Sequence, residues 1–290
     1  MVTLTERRAE FRRLIESGET ILVPGAPNAL TARLIADVGF EACYLTGAGL
    51  TNTYLGMPDI GLISAQEVAT HISTMSSVVD TPIIADGDTG FGNAINTWHT
   101  VRMYERAGAF AIQLEDQTFP KRCGHFEGKS TVQPEEMTAK IKAAIEARTD
   151  PNFLIIARTD ARATEGLEEA IRRVNMYREA GADILFVEAP HSEDEIRQIA
   201  TGADGPKVLN IVEGGKTPAL SLEKASELGI SIVLYANLPL VVHTQAVSNM
   251  LKFMKENGHA NGGPDRMSFT ERQQLVRKDF FDELDKRYET

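Results

Sequence analysis

Apolar and polar positions alternate in blocks along most of the chain. Between Ile21 and Gly258, eight short runs are almost continuously apolar and rich in β-branched residues. Such runs predict strands that are covered on both faces, as in a parallel sheet. The runs occupy residues 21–23, 42–45, 82–85, 111–114, 153–157, 184–187, 207–210 and 232–235.

The segments between these runs carry the start and stop signals of helices. Ser64 and Glu67 have the spacing of an N-terminal capping box, and Pro134 opens another segment with acidic residues in its first turn. Three segments end at a glycine before the next run, at Gly108, Gly181 and Gly229. The repeated alternation of strand and helix predicts an α/β fold, the (β/α)8 TIM-type barrel with right-handed crossovers. An open, doubly wound sheet is the competing fold.

Two segments lie outside the eight units. We expect residues 3–17 to form a helix that caps the barrel before the first strand. We expect one barrel domain over residues 1–290, with residues 259–290 as a C-terminal helical extension. Apolar positions at helical spacing in this tail, among them Phe269 and Phe280, need a surface to cover. That surface belongs either to a neighbouring subunit or to the chain's own barrel.

Composition narrows the functional class. A chain of 290 residues buries a sufficient core without disulfide bonds, and its two cysteines, Cys43 and Cys123, have no metal or redox spacing. A net charge of −11 disfavours nucleic acid as a partner. The sequence has neither the pattern of a signal peptide nor an apolar stretch of membrane-spanning length. These features indicate an acidic, soluble, cytoplasmic globular protein.

Polar residues follow five of the predicted strands. The ends of strands three to seven carry, in turn, Asp86 with Asp88, Glu115, Arg158, Glu188 and Asn210. In a barrel of this kind the active site lies at the carboxyl ends of the strands. We therefore expect these side chains to meet at one rim.

The carboxylates at this rim favour a metal site. Carboxylates that lie close together repel each other unless a cation or a proton separates them. Asp86, Asp88 and Glu115 have no nitrogen or sulfur partner at a metal-binding spacing. Oxygen ligands of this kind favour Mg²⁺, with Mn²⁺ as an alternative, over Zn²⁺. A solvated acidic turn is the competing interpretation.

Cys123 is the second candidate for chemistry. It lies in a loop among Lys121, Arg122, His125 and Lys129. Cationic neighbours lower the pKa of a thiol and make it reactive. An inert, half-buried thiol is the alternative.

Other motifs exclude common enzyme classes. Gly47-Ala48-Gly49 follows a strand, but Asn52 stands where a dinucleotide-binding fingerprint requires its third glycine. No glycine-rich run ends in the Gly-Lys-Ser/Thr of a phosphate loop, and no Gly-x-Ser-x-Gly motif supports a serine hydrolase.

Four motifs together resemble the isocitrate lyase/phosphoenolpyruvate mutase superfamily. They are Asp-Gly-Asp-Thr-Gly-Phe-Gly at 86–92, Glu-Asp-Gln at 115–117, Lys-Arg-Cys-Gly-His at 121–125 and Ala-Arg-Thr-Asp-Ala at 157–161. The similarity extends over residues 24–258. The chain is most similar to the short lyases, the 2-methylisocitrate and 2,3-dimethylmalate lyase type, and it lacks the large insertion of isocitrate lyases proper.

The resemblance implies a role for each matching residue. It implies that Asp86 and Asp88 bind Mg²⁺ directly, and that Asp59 and Glu115 hold metal-bound water. It assigns Cys123 as the proton donor, with Lys121, His125 and Arg158 as further catalytic residues. The substrate-binding residues that it implies are Thr46, Gly47, Ala48, Gly124, Arg158, Glu188 and Asn210.

The chemistry that follows is a carbon–carbon cleavage. A Mg²⁺-dependent lyase of this type splits a 2-hydroxy, 2-methyl di- or tricarboxylate into pyruvate and a second carboxylate. The alternatives on the same scaffold are an oxaloacetate-cleaving hydrolase and a phosphonomutase, whereas a non-catalytic 2-oxo acid binder is disfavoured. The family further implies a homotetramer, built from dimers that exchange their last barrel helix.

One departure bears on the substrate. Members that cleave tricarboxylates carry an arginine a few residues beyond the proline that follows strand eight. Residues 239–244 of this chain contain no arginine, although Arg272 in the tail is a candidate replacement. Loss of a bidentate carboxylate partner weakens the binding of a third carboxylate, which favours a dicarboxylate such as 2,3-dimethylmalate.

Overall fold

Eight parallel strands form a barrel in the computed structural model, which describes residues 2–122 and 128–289. The strands are β1 (Ile21–Pro24), β2 (Cys43–Leu45), β3 (Ile83–Asp86), β4 (Ala111–Glu115), β5 (Leu154–Thr159), β6 (Ile184–Val187), β7 (Lys207–Asn210) and β8 (Ile232–Tyr235). They lie in the order β1-β8-β7-β6-β5-β4-β3-β2. A single parallel bridge, Gly25 to Tyr44, joins the two ends of this order. The TIM-type barrel predicted from the sequence is confirmed, and the open sheet is excluded.

Helices alternate with the strands around the outside of the barrel. They are α1 (Leu4–Glu16), α2 (Ala29–Val38), α3 (Gly47–Leu50), α4 (Ala65–Ser76), α5 (Ala94–Ala107), α6 (Pro134–Ala147), α7 (Ala161–Thr164), α8 (Leu167–Glu179), α9 (Glu193–Gly202), α10 (Leu222–Glu227), α11 (Leu238–Asn257), α12 (Phe269–Leu275) and α13 (Lys278–Tyr288). A π-helical turn, Thr51–Leu55, follows α3. Among the described residues, no helix is both long and apolar enough to cross a membrane.

The helix boundaries have local causes. Ser64 and Glu67 form the predicted capping box at the start of α4, in which each side chain binds the other residue's backbone N–H. Pro134 occupies the first turn of α6, where a missing backbone N–H costs no helical hydrogen bond. Gly108 ends α5 with a φ of 104°, a left-handed conformation that a side chain would strain.

Apolar side chains fill the barrel in two layers. Inside it, strand residues such as Ile84, Ile156 and Phe186 pack against one another. Outside it, a second layer fills the space between the strands and the helices. Helix α1 contributes Phe11 and Ile15 to the interior layer, so it covers the amino-terminal end of the barrel as predicted. The polar residues that follow the strands lie at the opposite, carboxyl-terminal end.

Helix α11 does not pack into this framework. None of its residues is buried. Val242, Leu251 and Met254 are among its exposed apolar side chains. A groove beside β1, lined in part by Leu22, Val38, Phe40 and Leu222, is correspondingly uncovered in the described chain.

Candidate active site

The polar residues that follow the strands meet around one cavity, as the sequence predicts. The cavity has a volume of about 50 Å³, enough for roughly three or four water molecules. Strand register explains the convergence, because Glu115 pairs with Arg158 across β4 and β5, and Asp86 pairs with Gln113 across β3 and β4. The lining residues are Tyr44, Thr46, Ala48, Asp59, Asp86, Gln113, Glu115, Lys121, Arg122, Arg158, Phe186, Glu188, Asn210, Val212, Leu234, Ala236 and Asn237.

Lys121 lies between two of the carboxylates assigned to the metal site. Its Nζ is 2.6 Å from Asp59 Oδ1 and 2.7 Å from Asp88 Oδ1, and its side chain is 5% exposed. Burial opposes the charge on Lys121, but Asp88 and the other nearby carboxylates raise its pKa well above the usual range. The ammonium group therefore separates carboxylates that would otherwise repel each other.

Asp86 is oriented by backbone and amide donors. The Gly47 N–H donates to its Oδ2 at 3.1 Å, and the Asp88 N–H donates to its Oδ1 at 3.1 Å. Gln113 Nε2 donates to the same Oδ1 at 3.3 Å, while the Tyr44 hydroxyl donates to Gln113 Oε1 at 2.8 Å. Asp88 itself has a φ of 45°, so the turn is held in a left-handed conformation that brings both carboxylates to the rim.

Arg158 is surrounded by three carboxylates. Its Nε is 2.9 Å from Asp160 Oδ2 and 3.4 Å from Glu115 Oε2, and its Nη1 is 3.1 Å from Glu188 Oε2. The guanidinium also lies over the Phe186 ring, 5.3 Å from its centroid. Burial opposes the charge, but Asp160, Glu188 and Glu115 raise the pKa of Arg158 well above its usual range. It is thus a permanently charged group in the cavity wall.

Thr46 and Ala48 form another part of the cavity wall, with Gly47 between them in the chain. Thr46 Oγ1 accepts from the Gly49 N–H at 3.1 Å, which caps α3, and donates to Asn237 Oδ1 at 3.0 Å. Asn237 is the N-cap residue of α11 and lines the cavity. This wall offers neutral donors and small side chains, which suit a carboxylate or carbonyl oxygen.

The residues present fit a divalent cation. Within residues 2–122 and 128–289, no three acidic, histidine or cysteine side chains form a preformed metal cage. Mg²⁺ needs no such cage, because it binds through one or two carboxylates and retains several waters. Glu115 Oε1 is buried with no hydrogen-bond partner in the described chain, which suits an acceptor for metal-bound water. The assignment of Asp86 and Asp88 as direct ligands stays a prediction.

Charge at the rim favours the same assignment. Burial raises the pKa of Asp88 to about 6 and that of Glu115 well above its usual range, against the opposing effects of Lys121 and Arg158. A bound cation would lower both pKa values. The carboxylates at or next to the cavity are Asp59, Asp86, Asp88, Glu115 and Glu188, with Lys121 and Arg158 as the buried cations that pair with them.

Several residues predicted for the site are not placed at the cavity by the structure. Cys123, Gly124 and His125 lie outside the described residues, so their roles stay predictions. Arg272 lies on α12, with its guanidinium 5.2 Å from the ring centroid of Phe269, and it does not line the cavity of its own chain.

The sequence reasoning missed three cavity residues, Tyr44, Gln113 and Asn237. The alternation of side chains along a strand could have identified two of them. Tyr44 lies two residues before Thr46, and Gln113 lies two residues before Glu115. Such spacing places both side chains of a pair on the same face of a strand. Asn237 follows the last strand, where polar residues reach the same rim.

Comparison with known proteins identifies the family. A family model described as phosphoenolpyruvate phosphomutase matches residues 11–255. The chain belongs to the phosphoenolpyruvate mutase/isocitrate lyase superfamily. The resemblance predicted from the four motifs is confirmed, and with it membership of a superfamily of enzymes.

Relatives in this superfamily include lyases and a hydrolase. The 2,3-dimethylmalate lyase of Eubacterium barkeri is 42% identical over 283 residues, which cover 97% of this chain and 98% of the relative. The 2-methylisocitrate lyase of Aeropyrum pernix is 46% identical over 248 residues, or 86% and 80% of the two chains. A structure of oxaloacetate acetylhydrolase with 3,3-difluorooxalacetate superposes with a TM-score of 0.92 at 32% identity and covers 97% of each chain.

Proposed function

We propose that the chain is a Mg²⁺-dependent carbon–carbon lyase that cleaves a 2-hydroxy-2-methyl dicarboxylate of the 2,3-dimethylmalate type to pyruvate and a second carboxylate. The observation that carries the proposal is the small cavity at the carboxyl-terminal rim, which both Asp86 and Arg158 line. Asp88 lies next to it, because its Oδ1 is 2.7 Å from Nζ of the cavity residue Lys121. The 42% identity to a 2,3-dimethylmalate lyase over nearly the full length of both chains supports the same reaction class.

Asp86 and Asp88 would hold the Mg²⁺, with Asp59 and Glu115 bound to it through water. When bound, the ion would act as a Lewis acid that lowers the pKa of the substrate hydroxyl. Mn²⁺ would serve the same purpose with similar oxygen ligands. The excess of carboxylates at the rim disfavours an anionic substrate alone, which makes the cation a requirement for substrate binding.

Arg158 and the Thr46 wall would bind and orient the substrate. The guanidinium offers a fixed positive charge to one substrate carboxylate. Thr46, Gly47 and Ala48 leave room for the small methyl group at C2, and Asn210 presents a buried Oδ1 that has no hydrogen-bond partner in the described chain. A positive charge that is already in place lowers the energy of a transition state in which negative charge moves from one carbon to the other.

The reaction balances without water. The C2 hydroxyl loses its proton, the C2–C3 bond breaks, and C2 becomes the ketone of pyruvate. The electron pair of the broken bond passes to C3 and its carboxylate. One proton must then reach C3, and Cys123 remains the proposed donor, with Lys121 and His125 as further catalytic residues.

The lack of one arginine favours a dicarboxylate. Among the described residues that line the cavity, the cations are Lys121, Arg122 and Arg158. Lys121 and Arg158 already pair with carboxylates of the chain. Residues 239–244, which lack the arginine of tricarboxylate-cleaving members, lie in the first turns of α11.

A second candidate is oxaloacetate hydrolysis. The superposition on oxaloacetate acetylhydrolase at a TM-score of 0.92 supports it, although a 2,3-dimethylmalate lyase superposes with the same TM-score. Both reactions break a carbon–carbon bond of a C2-oxygenated dicarboxylate, and they differ in whether water enters the products. The phosphonomutase alternative has the weaker case, because the chain has the Lys-Arg-Cys-Gly-His motif that such enzymes generally lack.

A substrate panel would test the proposal. With Mg²⁺ present, lactate dehydrogenase would report pyruvate from 2,3-dimethylmalate, 2-methylisocitrate, isocitrate and citramalate. Oxaloacetate should be followed through acetate, because it loses CO₂ to pyruvate unaided. We expect the highest kcat/KM with 2,3-dimethylmalate, loss of turnover in EDTA and recovery when Mg²⁺ is restored. Turnover confined to oxaloacetate, with acetate as product, would favour the hydrolase instead.

We also propose a homotetramer built from dimers that exchange α11. The exposed apolar side chains of α11 and the uncovered groove beside β1 support the exchange. In an exchanged dimer, α11 of one subunit would cover this groove of the other. The cytoplasm remains the proposed compartment, consistent with the free and buried Cys43.

A further inference from the structure

Lys129 and Asp160 form a buried ion pair behind the cavity. Lys129 Nζ lies 2.7 Å from Asp160 Oδ1, and the two side chains are 2% and 0% exposed. Neither lines the cavity. An ion pair buried to this extent loses its solvation, so it needs a specific geometry to be maintained.

Asp160 shares its carboxylate between Lys129 and Arg158. Arg158 Nε donates to Asp160 Oδ2 at 2.9 Å, and Arg158 Nη2 donates to Oδ1 at 3.2 Å. Oδ1 is also the atom that accepts from Lys129. Asp160 therefore binds the guanidinium of Arg158 in a bidentate arrangement, and Lys129 is a second cation that neutralises the Asp160 carboxylate.

Asp160 is in turn fixed from below by Asp116. The Asp160 N–H donates to Asp116 Oδ1 at 2.9 Å. Asp116 Oδ2 accepts from the hydroxyls of Thr159 and Tyr177 at 2.6 and 2.8 Å, and it pairs with Arg173 at 3.2 Å. All of these side chains are buried. The backbone of Asp160 thus has a fixed position, and its carboxylate has Lys129 as a second cation beside Arg158.

The charge around Arg158 shows what Lys129 contributes. Asp160, Glu115 and Glu188 all lie within 3.4 Å of the guanidinium. Without Lys129, the guanidinium of Arg158 would be the cation left on the Asp160 carboxylate in these contacts, so Asp160 would draw it closer and cancel more of its charge. A substrate carboxylate at the cavity would then meet a weaker and displaced cation.

We propose that Lys129 and Asp160 are positioning residues for Arg158: Lys129 neutralises the Asp160 carboxylate, and Asp160 then holds the guanidinium toward the substrate without cancelling its charge. This inference rests on the proposed function in one respect, that Arg158 binds a carboxylate of the substrate.

Binding of oxalate tests the inference apart from catalysis. Oxalate is a planar dianion with the shape of the pyruvate enolate, and its Kd at saturating Mg²⁺ is measurable by calorimetry. Lys129→Met should weaken oxalate binding about 10–100-fold, the size of a lost charge-assisted interaction at a buried site. Lys129→Arg, which keeps the charge, should restore most of the affinity. Lys142→Met, which removes an exposed lysine of α6, is the matched control and should leave the Kd unchanged.

A double substitution separates positioning from general loss of structure. Lys129→Met with Asp160→Asn removes both charges, so it should bind oxalate more tightly than Lys129→Met alone. In turnover assays, KM should rise in Lys129→Met while kcat changes less. Unchanged affinity in Lys129→Met, or a double variant that binds more weakly than either single variant, would overturn the inference.

Failure of the proposed function gives a different result. If the wild-type chain binds neither oxalate nor pyruvate with Mg²⁺, the proposed function is contradicted. The inference is then decided by crystal structures of the wild type and Lys129→Met. A guanidinium of Arg158 that is displaced toward Asp160 would support it, and one that superposes on the wild type would contradict it.

Discussion

Gly47→Ala is the most selective perturbation of the proposed metal site. An added Cβ would lie 2.9 Å from Asp86 Oδ2 and 3.4 Å from Asp88 Oδ1. The backbone of Gly47 lies in the short helix α3, outside the left-handed region, so alanine is compatible with its conformation. The substitution thus adds one methyl group against the two carboxylates assigned to Mg²⁺ and leaves both in place.

The size of the effect follows from these distances. Ordinary van der Waals contact begins near 3.4 Å, so the Asp86 carboxylate must move by about 0.5 Å. Mg²⁺ tolerates only about 0.2 Å around its preferred ligand distances. Misplacement of a ligand by a neighbouring residue typically costs about 10–100-fold in metal affinity. The free energy of unfolding should change by less than about 1 kcal/mol, because alanine favours a helix and the carboxylate can shift.

Two measurements and one control check this prediction. The Mg²⁺ dependence of turnover and calorimetric Mg²⁺ binding should both shift about 10–100-fold, while the urea midpoint stays close to the wild type. Gly202→Ala is the control, because its added Cβ would make a similarly close contact, 3.0 Å from Ile171 Cγ2. Gly202 is the last residue of α9, which leads to the amino-terminal end of the barrel, away from the cavity. Unchanged Mg²⁺ affinity in Gly47→Ala would refute the assignment of Asp86 and Asp88.

Three further predictions concern the proton donor, the buried network and the assembly. Cys123→Ser should lower kcat about 10²–10⁴-fold with little change in substrate affinity, because a hydroxyl is a far weaker acid than a thiol; near-normal turnover with the best panel substrate would show that the proton comes from another group. Arg173→Met should lower the free energy of unfolding by about 3 kcal/mol in urea titrations, because it leaves the charge of Asp116 buried with less compensation; an unchanged midpoint would contradict that reading of the network. Leu251→Asp, at an exposed position of α11, should lower the native mass from a tetramer, as should deletion of residues 264–290; a wild-type monomer in light scattering at micromolar concentration would remove the basis for helix exchange.

The carboxyl-terminal rim could be predicted from the sequence because strand ends determine it. Once the apolar runs are assigned to a parallel barrel, Asp86, Glu115 and Arg158 must lie at one end of the sheet. The chain direction is the same in every strand, so no tertiary detail is needed. The sequence also places Asp160 at the same strand end, but its position alone does not show which residues it contacts.

The sequence alone could not show which polar and charged side chains contact one another. Lys129 and Asp160 are 31 residues apart, and nothing in their local sequence selects that pair over other lysines and acids. Tyr44 and Gln113 act through a chain of side-chain hydrogen bonds whose geometry depends on the register of β2, β3 and β4. The sequence also could not show which surface α11 covers. An apolar helical pattern indicates that the helix covers a surface but not which subunit provides that surface.

The most direct test of the central claim is a proton NMR assay of 2,3-dimethylmalate with the enzyme and Mg²⁺ in D₂O. Cleavage between C2 and C3 without water predicts pyruvate and propionate in equal amounts. The propionate should carry one deuterium at C2, delivered when the leaving carbon is protonated from an exchangeable group. Substrate that remains intact, or pyruvate that accumulates without propionate, would contradict the account.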